Sequence, residues 1–125
     1  MKVTYTRLYA DSDGESHFKD VEVELQESDF APPAMPLNMS SFRSANECGF
    51  AIAPPEWYGD WHPTPQRQFL FYLAGQVEVG VSDGEVRTFG PGDIVLVEDV
   101  TDKGHVSQGF ERDCEITELV FSDNV

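Results

Sequence analysis

The chain is short of several things at once, and each shortage removes a class of function. Basic residues are few: Lys and Arg number 8 against 23 Asp and Glu in 125 residues, a formal charge of −15. A surface this acidic repels phosphate backbones and anionic bilayers, which argues against nucleic-acid and membrane partners. Cysteine is nearly missing. Cys48 and Cys114 stand far apart, match no CxxC pattern and read as buried, small apolar residues. Long apolar runs are missing as well. The longest, FLFYLA at 69–74, is far too short to cross a bilayer. The opening MKVTYTRLY has no apolar segment of the kind a secretory signal needs. The expectation is a cytoplasmic protein with reduced thiols, in which the sequon Asn38-Met39-Ser40 is a chance match. Nucleophile motifs are absent too: Ser, His and Asp occur without a GxSxG elbow.

Helical periodicity is the last absence. No long window carries apolar residues at three- and four-residue spacing, whereas alternation recurs. VTYTRLY near the start is rich in β-formers. VEVEL at 21–25 sets Val21, Val23 and Leu25 against Glu22 and Glu24. GFAIA at 49–53 and FLFYLA are short apolar runs, and QVEVGV at 76–81 puts Val77, Val79 and Val81 on one side. EVRTF, DIVLVE and EITELVF complete the set. Ser82-Asp83-Gly84 and Gly90-Pro91-Gly92-Asp93 are turn sequences, since Gly and Asp tolerate positive φ. Short strands with turns at this spacing imply an all-β sandwich or barrel. The stretch 30–47 carries three prolines and reads as a surface loop or an arm over the sheet. One domain is expected over 1–125, with N-terminal strands and the proline-rich arm at 1–47 and a barrel core at 48–122.

At this point the residues resemble the cupin family. The first cupin motif, G…HxHxxxE, six residues, then G, is matched by Gly59, His62, Thr64, Gln68 and Gly75. The second motif is matched by Pro91-Gly92-Asp93, the strand IVLVE, the loop DVTDKG and His105. The combination GxVxVxxxDGExRxxxPGD joins them, and the resemblance spans about residues 49–121. It implies a single-domain cupin β-barrel (a double-stranded β-helix, or jelly roll) with a ligand site inside. There are departures. Thr64 stands at the second His position and Gln68 at the Glu position. The loop before His105 is two residues longer than usual, Glu98 takes a Pro position and Gly109 an Asn position.

The resemblance implies a pocket for a small polar molecule lined by His62, Thr64, Gln68, His105, Phe71 and Trp57. In a metal reading, His62, Gln68 and His105 hold one divalent transition metal, Mn, Fe, Ni or Zn. Thr64 is a poor ligand, and an amide in place of a carboxylate removes a charge. In the alternative, the same residues line a metal-free pocket and hydrogen-bond the ligand directly. Trp61 alternates to the face opposite His62. Arg67 is read as a surface charge, ahead of a role as partner to a ligand carboxylate. The charged loop Glu98, Asp99, Asp102 and Lys103 is read as a solvated hairpin loop, ahead of a carboxylate that fixes the tautomer of the nearby imidazole or raises its pKa. His17, in DGESHF, is read as structural. Three functions follow: a metal-dependent enzyme of dioxygenase, isomerase or lyase type, a non-catalytic binding module, or a structural barrel. A homodimer is expected, because pairing covers exposed edges.

Overall fold

The computed structural model describes residues 1–110 and 115–121. Twelve strands follow in order: β1 (Lys2–Ala10), β2 (Ser16–Glu24), β3 (Gln26–Ser28), β4 (Leu37–Met39), β5 (Glu47–Ala53), β6 (Tyr58–His62), β7 (Gln68–Ala74), β8 (Val77–Val81), β9 (Val86–Phe89), β10 (Ile94–Val97), β11 (His105–Gly109) and β12 (Glu115–Phe121). No helix occurs among the described residues, so none is long and apolar enough to span a membrane.

Two sheets face each other. One has the order β2-β1-β10-β7-β12-β5 and the other β6-β11-β8-β9. Numbering the eight strands from β5 to β12 as one to eight gives sheet orders 1-8-3-6 and 2-7-4-5. That is the strand order of a jelly roll, the cupin-like barrel that the two motifs imply. β1 joins the larger sheet parallel to β10, and β2 pairs antiparallel to β1. The short hairpin β3–β4 stands apart, and the rest of the arm is exposed except for the half-buried Ser40.

The turns form where their sequences ask for them. Ser82-Asp83-Gly84 closes the β8–β9 hairpin, with Gly84 at φ 100. In the turn before β10, Gly92 has φ 91 and Asp93 Oδ2 accepts a hydrogen bond from Gly90 N. Alternation then sorts the side chains. Val77, Val79 and Val81 are buried together with Leu8, Phe18, Tyr72, Phe89, Val95 and Val97. Each such side chain contributes about 1.5–3 kcal/mol through removal from water.

This core fills one end of the barrel. The other end stays open because its inward positions are small. Ala51 and Ala53 on β5, Thr117 on β12 and Ser107 on β11 line a cavity of about 280 Å³. The large Phe50 on β5 points outward instead and is exposed. The arm at 40–45 runs over the outer face of the larger sheet, where the Arg43 guanidinium lies 5.4 Å from the Phe69 ring.

Cys48 is exposed rather than buried, because it lies in the outward row of the edge strand β5. Cys114 lies outside the described residues.

Candidate functional site

Two strands without an apolar signature carry the histidines. His62 ends β6 and His105 begins β11, and the two are register partners. Their ring centroids are 4.9 Å apart. The approach depends on Gly104, which has φ 71 and lies so close to the His62 backbone that a Cβ there would overlap its carbonyl. Only glycine combines that conformation with that clearance.

The hydrogen bonds set both tautomers. His62 Nδ1 is 2.6 Å from the carbonyl oxygen of Asp60. A carbonyl only accepts, so Nδ1 carries the proton and donates. His105 Nδ1 lies 2.7 Å from Asp99 Oδ2, a carboxylate with no solvent exposure. In the neutral rings the free nitrogen is therefore Nε2 in both cases, and both side chains line the cavity. Supporting an imidazole through its second nitrogen is how proteins orient a ligand-binding ring.

Gln68, at the start of β7, faces the same cavity from the opposite sheet. Its Nε2 donates to Thr64 Oγ1 at 2.9 Å, and Thr64 Oγ1 donates to the Gln66 carbonyl at 2.9 Å. The Thr64 hydroxyl proton is thereby used, so it only accepts from Gln68. This fixes the amide orientation. Gln68 Oε1 is left buried without a partner. An unsatisfied buried oxygen of this kind costs about 1–3 kcal/mol.

The cavity continues along β12 and β7, past Thr117, Leu70 and Tyr72, to Glu115. Burial pushes the Glu115 carboxyl above its usual range. It also raises the Tyr72 phenol far above its usual range, with the charge of Glu115 adding to the effect.

His62, His105, Gln68 and Trp57 thus meet on one cavity. Two predicted wall residues do not join them. Thr64 was expected to share a face with His62. Pro63 ends the strand between them, and Thr64 turns inward behind Gln68, 3% exposed. Phe71 lies on the outer face, where its ring packs against Phe69. The reason is parity: Gln68, Leu70 and Tyr72 point in, so Phe69 and Phe71 point out. Trp61 lies away from the cavity beside Lys103.

Glu115 escaped the sequence reading, and the loop of Asp99 offers a carboxylate to the imidazole only as the less favoured alternative. Asp99 lies in what reads as a solvated loop, yet it is fully buried. Its neighbour Glu98 is also enclosed, with Arg7 Nε at 2.5 Å and Arg67 Nε at 3.9 Å. Arg67 thus pairs within the protein, and its side chain is 44% exposed. No local pattern marks Asp99. For Glu115 the signal was ambiguous, since both rows of EITELVF mix polar and apolar residues, with Glu115, Thr117 and Leu119 in the inward one.

A metal, which the cupin resemblance implies, meets a limited donor set. Among the described residues no three His, Cys, Asp or Glu side chains are grouped to hold an ion. Two imidazole nitrogens and the orphaned amide oxygen of Gln68 remain, a neutral set that fits an ion tolerant of N and O donors with open positions.

No protein-family model matches the chain, and no curated protein does. Solved structures resemble it at low identity. Protein NMB1881 from Neisseria meningitidis is 18% identical over 66% of this chain and 79% of its own, with a TM-score of 0.44. A putative ethanolamine utilization protein Q from Salmonella typhimurium is 13% identical over 99% of each chain, with a TM-score of 0.40. The cupin domain of Schizosaccharomyces pombe Cnp3 is 11% identical over 98% of this chain and 84% of its own, with a TM-score of 0.46. The fold assignment stands on the strand order, independently of these likenesses.

Proposed function

We propose that the protein binds a small polar molecule in the barrel cavity, against His62, His105 and Gln68. The observation that carries this reading is the buried, unpartnered Oε1 of Gln68, a residue that lines the cavity. Proteins rarely leave such an atom unsatisfied, and a ligand N–H or O–H completes it. The two free Nε2 atoms supply further acceptors. Concave sites of this kind pair apolar walls with a few placed polar groups.

A divalent transition metal on His62, His105 and Gln68 is a second reading, favoured by the two rings locked through Nδ1. When bound, such an ion would polarise a carbonyl of the ligand. The chain's own residues then orient the rings (Asp60, Asp99) and the amide (Thr64).

The side-chain amide of Gln68 is the probe. In a screen of small polar fragments by ¹H–¹⁵N NMR, binders should shift its NH₂ signals and lose affinity in Gln68→Ala. A library that leaves those signals unmoved would sink the reading. Metal content after anaerobic, untagged purification decides the second reading. Near one ion per chain, lost in His62→Ala/His105→Ala, supports it. None after reconstitution with Mn, Fe, Ni and Zn removes it.

A further inference from the structure

The polar groups of the cavity lean one way. Gln68 Oε1 is an acceptor without a donor. Both histidines have their Nδ1 protons engaged, which leaves Nε2 as an acceptor in each neutral ring. Glu115 adds a carboxylate. The register separates these groups. Gln68 stands opposite Phe121 and Tyr72 opposite Thr117, so Glu115 lies beyond the Tyr72 end of the same inward row. The cavity therefore offers acceptors at two separated points.

No Lys or Arg lines the cavity among the described residues. Among the described residues, an entering carboxylate or phosphate would meet no Lys or Arg side chain and would face Glu115. Burying an unpaired anion beside another is strongly unfavourable. The field of a chain with formal charge −15 acts in the same direction, excluding anions and concentrating cations.

We propose that the cavity takes a small amine, its cationic nitrogen at Glu115 and a second N–H or O–H donor at Gln68 Oε1, in preference to an anionic ligand. This rests on the pocket reading above and names its ligand class. An amine is favoured over a neutral polyol because Glu115 is half-withdrawn from water. Burial disfavours its charge, and a cation relieves that cost while a hydroxyl does so only in part.

Three probes with one four-carbon skeleton test the class: 1,4-diaminobutane, 1,4-butanediol and succinate, titrated calorimetrically into the full chain at constant ionic strength. The diamine should bind one per chain and at least about tenfold more tightly than the other two. Glu115→Gln should remove that preference. Glu78→Gln, an exposed acid on β8, should keep it. Because Glu115→Gln removes a partly desolvated charge, the variant should stay folded, and its thermal melt checks this. Equal loss in Glu115→Gln and Glu78→Gln would reduce the effect to the surface field and overturn the proposal. No saturable diamine binding would overturn it too. Succinate or butanediol binding best, with movement of the Gln68 amide signals, would overturn the ligand class and leave the pocket reading intact.

Discussion

Asp99 and His105 form a pair that is half hidden. Asp99 Oδ2 lies 2.7 Å from His105 Nδ1, Asp99 Oδ1 has no partner, and the carboxylate has no solvent exposure. A buried carboxylate kept with a single partner is costly to stability. Its return is the orientation of the ring that faces the cavity.

Asp99→Leu should therefore free the ring. The ¹⁵N shifts of His105 should change from one Nδ1–H tautomer to a mixture, while Asp99→Asn, which keeps an acceptor, retains the single form. Ligand or metal affinity should fall about tenfold in Asp99→Leu, the lower end for loss of a supporting partner. An unchanged tautomer in Asp99→Leu would show that Asp99 does not position the ring.

Gln68→Met should trade function for stability. It keeps the volume and removes the unsatisfied oxygen, so unfolding by urea should show a gain of about 1 kcal/mol. Fragment binding at the cavity should be lost. A clear destabilisation would mean that the lost Nε2 hydrogen bond to Thr64 outweighs the relief of the unpartnered oxygen.

Gly104→Ala should damage the fold and the site together. The new Cβ meets the His62 carbonyl, and φ 71 is itself unfavourable for alanine. We expect a loss of about 3 kcal/mol or more in urea unfolding. Gly84→Ala is the control: it also has positive φ, with nothing near its Cβ position, and should cost about 1 kcal/mol.

The pH dependence of stability should show His17. Its Nε2 lies 2.6 Å from Asp11 Oδ2 and its Nδ1 2.8 Å from Asp83 Oδ2, so it bridges the β1–β2 and β8–β9 turns. Lys103 pairs with Glu15 beside it, and Tyr9 packs on the ring. The Asp11 hydrogen bond, then that of Asp83, raises the imidazole above its ordinary 6.5. The stabilisation is fully present below 6.5 and is lost as pH rises through the raised value. Asp11 is lowered chiefly by the His17 hydrogen bond, and Asp83 chiefly by the Glu85 backbone N–H. Their contribution is present above the ordinary 3.8 and is lost as pH falls through the lowered values. Thermal melts should thus peak between the two limits. In His17→Gln the decline on the alkaline side should disappear. If that decline persists unchanged, the bridge is not its source.

The sequence made the larger part of the barrel legible. Alternation marked QVEVGV as a strand with one buried face and VEVEL as one with a half-buried face, Ser82-Asp83-Gly84 marked a hairpin, and Gly90-Pro91-Gly92-Asp93 marked a tight turn, which joins the two sheets. β6 and β11 were the strands it hid. YGDWH and HVSQG carry no apolar alternation because one side of each faces the cavity, where small and polar residues replace the valines. The strands most useful to the site were thus the hardest to read.

The same division runs through the site. The resemblance of two motifs to those of cupins implied that His62, Gln68 and His105 meet, and the strand pairing brings the three residues to one cavity. Parity also excluded Phe71, though its aromatic character had pointed to the wall. Only the tertiary structure decided the rest. It buried Asp99 behind His105, turned Thr64 from wall to support, and brought Glu115 into the cavity. Each of those contacts joins residues whose local sequence favours solvent. Their burial follows from the closing of two sheets over small side chains, which no local pattern records.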